Sequence, residues 1–209
     1  MKNINFMKIG VIFSLLFFLC QNLSAQEFIL NDDKLIDIRA KEKINQIGAE
    51  TKSKLGVNIY VYAKSTLGLD ENIKTKEKID IIKSNENQII SKLENPYVLL
   101  SISVEETHVN LLFSEEFKTI LDKDDILDGY VVPLLASKDK NTLFSKVSAA
   151  TLNGYGAIAD TIADSKNIKL ESSIGNSGKV SSTIWRVLMY TIIILGLFAY
   201  TYAILKKRK

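Results

Sequence analysis

The chain has almost none of the residues on which thiol chemistry and soft-metal binding depend. Its 209 residues include one cysteine, Cys20, and one histidine, His108. Disulfide frameworks, zinc fingers and multi-histidine metal centres are therefore excluded. A histidine base or a catalytic triad would have to use His108. That residue falls on the polar side of a predicted strand, beside Asn110, where we expect a solvated surface side chain.

Acidic residues are missing from both ends of the chain. The first 25 residues carry two basic side chains and the last 26 carry five, without one Asp or Glu. The middle holds the other 20 basic residues and all 24 acidic ones, a net charge of −4. A mildly acidic body does not favour a nucleic-acid-binding surface.

The N-terminus has the three parts of a secretory signal. Lys2 and Lys8 form a positive region, and Ile9 to Cys20 is an apolar run of 12 residues. Small side chains follow, which places a cleavage site between Ala25 and Gln26. Residues 1–25 are therefore predicted to be a signal peptide, and the mature chain would have no cysteine.

The C-terminus has the pattern of a membrane span. Val187 to Leu205 is a run of 19 uncharged residues, close to the roughly 20 that cross a bilayer as a helix. Trp185 and Tyr202 are placed as interfacial aromatics, and a basic tail of residues 206–209 follows. We predict a transmembrane helix over residues 184–205, with the tail in the cytoplasm and the body in the periplasm of a bacterial inner membrane.

Between the two membrane signals, residues 26–166 are predicted to form one domain, and residues 167–183 a flexible tether rich in serine and glycine. Amphipathic helices are indicated from Asn31, as N-cap, to Leu55 and from Glu71 to Leu93, with a strand at Val57–Ala63 between them. Residues 97–104 and 107–113 read as a hairpin, followed by helices at 114–121, 125–136 and 141–163. The fold class is α/β: a three-layer-like domain with a small mixed sheet flanked by helices, plus the C-terminal transmembrane helix.

This order of elements resembles the TPM domain, a family named for thylakoid-lumen, photosystem-repair and nematode receptor-accessory proteins. The resemblance rests on the apolar strand from Tyr97 to Ser103, the charged turn at Glu105 and Glu106, and the returning strand. Ser114-Glu115-Glu116 stands where the family's Glu-bearing helix begins, and Pro133 where the family has a proline. The resemblance covers residues 27–165, and a signal peptide with a C-terminal span is a common setting for it.

The resemblance implies three kinds of activity. Relatives are associated with assembly or repair of membrane complexes, with calcium binding, or with a phosphatase activity. Where the family has Asp-Asn-Gly in a loop associated with calcium, this chain has Glu94-Asn95-Pro96 and lacks the glycine. The implied metal ligands are Asp32, Asp33, Glu94 and Asn95, which would share a cation if their loops gather at one edge of the sheet.

A second acidic group lies at Asp122, Asp124, Asp125 and Asp128. It lacks the glycine and glutamate of an EF-hand loop, and Asp124 is better explained as a helix N-cap with Asp125 beside the helix dipole. Ser101 and Ser103 face away from the apolar side of their strand, outside any nucleophile elbow.

The sequence therefore predicts a membrane-anchored accessory module for a membrane protein complex, without assigned catalytic residues and without a cofactor other than possible calcium. The alternatives are a metal-dependent hydrolase of phosphate esters and a calcium-binding module without chemistry. The expected partners are the lipid bilayer, through Val187–Leu205, and a membrane protein complex, not a nucleic acid.

Overall fold

Four strands, hydrogen-bonded in their sequence order, form one mixed sheet in the computed structural model, which describes residues 28–70, 72–175 and 190–196. The strands are β1 (Ile29–Asn31), β2 (Asn58–Lys64), β3 (Tyr97–Ser103) and β4 (His108–Phe113). β1, β2 and β3 are parallel, and β4 returns antiparallel beside β3. The predicted hairpin and mixed sheet are confirmed.

Five helices accompany the sheet in the described residues. They are α1 (Ile38–Leu55), α2 (Thr75–Ile90), α3 (Lys123–Ile126), α4 (Val132–Leu135) and α5 (Leu143–Ser165). A π-helical turn, Leu127–Val131, joins α3 to α4. α1 and α2 are the crossovers that parallel pairing requires between β1, β2 and β3.

The two faces of the sheet are covered differently. Alternate β3 side chains such as Leu100 enter the main core with α1 and α5, whereas Leu99 is fully buried outside that core. Ile82 of α2 and Tyr60 of β2 are also buried outside the main core. Helices therefore lie on both faces, and the α/β class with flanking helices is confirmed.

The first strand was not predicted, and the first helix begins later than expected. In place of a helix capped by Asn31, the chain forms β1 and then turns through Asp33 and Lys34, which have φ values of 43° and 60°. α1 starts at Ile38, where Asp37 accepts hydrogen bonds from two backbone N–H groups of the first turn. Left-handed residues cannot continue a helix, so the apolar spacing before this point was misleading.

The predicted helices after the hairpin are shorter or interrupted. The predicted helix over 114–121 is one 3₁₀ turn, Glu115–Phe117. The predicted helix over 125–136 is divided into α3, the π-helical turn and α4. The last predicted helix is confirmed as α5, which is 23 residues long and capped by Thr142.

The start of the predicted tether packs on the domain. Leu170 and Ser172 are each 4% exposed. Glu50 of α1 accepts hydrogen bonds from the backbone N–H groups of Glu171 and Ser172, at 2.8 and 2.7 Å. The domain therefore extends to about residue 174, beyond the predicted boundary at residue 166.

Most of the predicted membrane-targeting segments lie outside the described residues. This holds for the signal peptide over 1–25, for the tether from residue 176 and for most of the span. Residues 190–196, inside the predicted span, are helical. Within the described parts of the chain, no helix has both the length and the apolar character to cross a membrane.

At Gly48, α1 packs against Phe28 and Tyr155 without room for a side chain. An added Cβ there would lie 2.4 Å from the Tyr155 hydroxyl oxygen and 2.5 Å from the Phe28 ring. We expect Gly48→Ala to destabilise the domain by about 1–3 kcal/mol through overpacking, although alanine is the better helix former. Urea unfolding of residues 26–183 would measure this.

The matched control is Ser84→Ala at an exposed position of α2. It should change the free energy of unfolding by about 0.5 kcal/mol or less, in the stabilising direction. A Gly48→Ala protein as stable as the parent would contradict the packing described for α1.

Candidate functional site

Three loops meet at the edge of the sheet where the parallel strands end. One follows β1, one follows β2, and the third joins β3 to β4. Ligands of open α/β sheets bind outside this carboxyl edge as a rule. Two carboxylates, those of Asp33 and Glu106, bond the loops together here.

Asp33 bonds the loop after β1 to the loop after β2. Its Oδ2 accepts hydrogen bonds from the backbone N–H and the hydroxyl of Ser65, each at 3.1 Å, and its Oδ1 accepts one from Asn31 at 3.0 Å. The bond from Asn31, followed by that from the Ser65 backbone, lowers the pKa of Asp33. Its neighbour Asp32 lies 2.5 Å from the Lys41 ammonium. Both aspartates therefore already have partners within the chain.

Glu106 bonds the hairpin turn to the loop after β2. Its Oε1 accepts hydrogen bonds from the Leu67 backbone N–H at 2.8 Å and from the Thr66 hydroxyl at 3.1 Å. Its Oε2 accepts the Ser103 hydroxyl at 2.9 Å. Burial alone would raise the pKa of Glu106, but these bonds outweigh it and the pKa is lowered. Ser103 thus donates to a carboxylate that is also held by Thr66 and Leu67.

Glu94 and Asn95 lie at the opposite edge of the sheet. The Glu94 carbonyl accepts a hydrogen bond from Asn58, the first residue of β2, at 3.3 Å. Asp32 and Asp33 lie near the other end of β2, about 20 Å away along a seven-residue strand. The expectation that the two loops carrying these four residues gather at one edge is wrong, because residues before one parallel strand and residues after another lie at opposite ends.

The second acidic group contains a helix cap. Asp122 accepts hydrogen bonds from the backbone N–H groups of Asp124 and Asp125, at 3.0 and 3.1 Å. The cap was predicted at Asp124 and lies two residues earlier. Among the described residues, no three His, Cys, Asp or Glu side chains form a group suited to a metal ion. Calcium binding by this chain stays a prediction.

A buried polar network lies between α2 and the hairpin. Glu86 of α2 is 3% exposed. One carboxylate oxygen lies 2.8 Å from His108 Nε2, and the other accepts a hydrogen bond from Asn110 at 2.7 Å. Asn110 in turn accepts one from Lys123. Burial alone would raise the pKa of Glu86, but the bonds from His108 and Asn110 lower it.

His108 is therefore not the solvated side chain that its strand position predicted. It is about one quarter exposed and paired with Glu86. The sequence does contain a signal for this pairing, because Glu86 lies within the apolar stripe of α2, four residues from Ile82 and from Ile90. A carboxylate in such a stripe needs a partner across the interface.

An apolar cleft opens beside the end of the hairpin, and His108 and Ser103 are among the residues that line it. It has a volume of about 360 Å³. Its apolar lining comes from the hairpin, from α4 and from the first residue of α5: Ile102, Val104, Val109, Val132, Leu135 and Leu143. Leu143 and Phe144, in the first turn of α5, are 50% and 43% exposed. This combination of a cleft and exposed apolar side chains is typical of an interaction site.

Comparisons with known proteins identify a shared fold. The N-terminal domain of a protein from P. gingivalis, determined by solution NMR, superposes with a TM-score of 0.52 at 12% identity, covering 71% of this chain and 90% of that domain. The BA42 protein from Bizionia argentinensis superposes with a TM-score of 0.40 at 13% identity, covering 67% of this chain and 94% of that protein. The sequence matches no family model and no curated protein. The chain therefore has an α/β fold that is also found in a small bacterial domain.

The Glu86 network makes stability depend on pH. Since the folded-state pKa of Glu86 lies below its ordinary value of 4.5, its contribution is complete above about pH 4.5 and is lost as the pH falls through the folded-state pKa. We expect Glu86→Gln to destabilise the domain by about 1–3 kcal/mol at neutral pH, because the donors on His108 and Asn110 lose a charged acceptor. Urea unfolding over a pH series would also show a shallower loss of stability in acid.

Glu116→Gln, at an exposed position of the 3₁₀ turn, is the control and should leave both the stability and its acid dependence unchanged. Equal pH profiles for Glu86→Gln and the parent protein would contradict the pairing of Glu86 with His108.

Proposed function

We propose that the chain is a membrane-anchored, extracytoplasmic domain of the TPM type that acts as a non-catalytic accessory module for a membrane protein complex. The predicted signal peptide and C-terminal span would hold the domain outside a bacterial inner membrane. The apolar cleft would receive an apolar segment of the partner protein. The cleft is the observation that carries this proposal.

The order of elements supports the TPM assignment. A strand, α1, β2, α2 and the β3–β4 hairpin follow one another, with the remaining helices after the hairpin. This is the order on which the sequence resemblance rests, extended by the additional strand β1. The likeness to a bacterial N-terminal domain supports the α/β fold alone.

The surface chemistry favours binding over catalysis. The carboxylates at the carboxyl edge, Asp33 and Glu106, are each bonded to several N–H and O–H donors of the domain itself. The His108 ring is bonded to Glu86 and the Ser103 hydroxyl to Glu106, so the imidazole and this hydroxyl have separate partners. In contrast, the apolar side chains around the cleft have surface left to bury, and burial stabilises a complex by about 25 cal/mol per Å² before the costs of association.

Photo-crosslinking in native membranes would test this proposal. Thr107 is exposed and lines the cleft, so a photoreactive amino acid at this position would react with a bound partner. We expect one discrete adduct with a membrane protein. Ala136→Trp, which fills the cleft from its exposed rim, should lower the adduct yield tenfold or more, since about 1.4 kcal/mol of lost binding corresponds to tenfold.

Ser84→Trp on the exposed side of α2 is the matched control and should leave the yield unchanged. An adduct that both tryptophan variants weaken equally, or no adduct at all, would contradict the role of the cleft. Turnover of a phosphate ester by the full chain, lost in Asp33→Asn, would support the hydrolase alternative in its place.

A further inference from the structure

The chain from the end of α4 through the first turn of α5 exposes both apolar and basic side chains. We name these residues, 136–144, the docking segment. Leu143 and Phe144 are 50% and 43% exposed although they begin a helix whose later apolar residues are buried. Val132 on α4, across the cleft, is 38% exposed. These side chains form an apolar patch at one end of α5.

In the docking segment the acidic side chain is bonded within the domain, whereas two basic side chains are exposed to solvent. Asp139 is bonded within the domain: it accepts hydrogen bonds from the Asn141 backbone and side chain, at 3.1 and 2.9 Å, and lies 3.5 Å from the Lys146 ammonium. Lys138 and Lys140, on either side of it, are exposed. The segment therefore presents two ammonium groups next to the apolar patch, while its one carboxylate is neutralised by Lys146.

We infer that the docking segment rests on an anionic membrane surface. Phe144 and Leu143 enter the headgroup region, and Lys138 and Lys140 bind the phosphate groups of anionic lipids. Apolar side chains flanked by lysines are the combination by which peripheral segments bind such surfaces. The inference rests on the membrane anchoring in the proposed function, and it adds the orientation of the domain and the class of lipid.

The reach of the chain permits this orientation. Ile174 packs against Gly156 of α5, about 18 Å along the helix axis from Phe144. Eleven residues separate Gly175 from Val187, the start of the uncharged run, and extended they span up to about 36–40 Å. The connection is therefore long enough for the docking segment to touch the bilayer while the predicted span remains in it.

Docking in this orientation would place the cleft at the membrane surface, because Leu143 belongs both to the docking segment and to the cleft lining. An apolar segment of a membrane partner emerges at that level. Docking would thus bring the cleft and the two lysines, which lie in the same docking segment as the Ala136 rim of the cleft, to one membrane surface.

The test uses the full chain in lipid vesicles, with Cys20→Ser so that an introduced cysteine is the only one. An environment-sensitive dye is attached through Ser145→Cys beside Phe144, or through Ser84→Cys on α2 as the control position. Vesicles contain phosphatidylcholine with or without phosphatidylglycerol, and quenchers are attached to the lipid chains. We expect quenching at position 145 in the anionic vesicles, reversed by high salt, and none at position 84.

Charge and apolar variants then separate the two contributions. Lys138→Gln with Lys140→Gln should weaken the docking equilibrium about fivefold per lysine. Leu143→Ser with Phe144→Ser should abolish quenching at position 145. Lys76→Gln with Lys83→Gln, exposed lysines of α2, is the matched control and should have no effect.

Flotation of the vesicles at alkaline pH separates failure of the inference from failure of the proposed function. A chain that does not float has no membrane anchor, which overturns the proposed function and the inference together. A chain that floats without quenching at position 145 overturns the inference alone. The dye at position 145 could also be quenched or buried equally with and without anionic lipid, and equally in the variant that lacks both lysines. That result would indicate contact with protein, and it also overturns the inference.

Discussion

The packing of α1 against α5 at Gly48 is the constraint on which the rest of the domain depends. Only a hydrogen atom fits at this position, because the Phe28 ring and the Tyr155 hydroxyl fill the space. The same hydroxyl donates a hydrogen bond to the Ile59 carbonyl of β2 at 2.9 Å. Burial raises the pKa of Tyr155 well above its ordinary value, so the group remains a neutral donor. One side chain thus joins α5 to α1 and to a central strand of the sheet.

The same pair of helices also determines where the chain leaves the domain. Glu50 of α1 is bonded to Lys54 at 2.7 Å and accepts bonds from the backbone of Glu171 and Ser172. Burial alone would raise the pKa of Glu50, but these bonds lower it to about 2. The carboxylate is therefore charged throughout the physiological range and remains an acceptor for both backbone N–H groups.

The parts of the fold that local pattern determines were predictable, and the parts that depend on distant contacts were not. The alternation of β3 and the end of α1 at Leu55, after which Gly56 has φ of 69°, are local signals, and both predictions are confirmed. β1 has three residues, too few for a period of two to be recognised, and it is defined only by pairing with β2. The partner of His108 comes from α2, which no spacing along β4 reveals. The four candidate metal ligands lie at two edges of the sheet for the same reason, since the edge on which a loop lies is a property of strand direction.

The acidic residues near the site are bonded within the domain, whereas the apolar side chains of the cleft are partly exposed. Asp33, Glu86 and Glu106 are close enough to donors of their own chain that each has a lowered pKa, and each holds two elements together. Acid–base catalysis near neutral pH needs the opposite, a carboxyl whose pKa is raised toward the working pH or a base with a free lone pair. The described carboxyl with a raised pKa is that of Asp160, buried on α5 and next to Asp164, away from the three loops of the carboxyl edge. In contrast, Leu143, which lines the cleft, and Phe144 beside it remain about half exposed. The lowered-pKa carboxylates therefore serve to hold the elements of the domain together, and the exposed apolar side chains lie beside the hairpin that they fix.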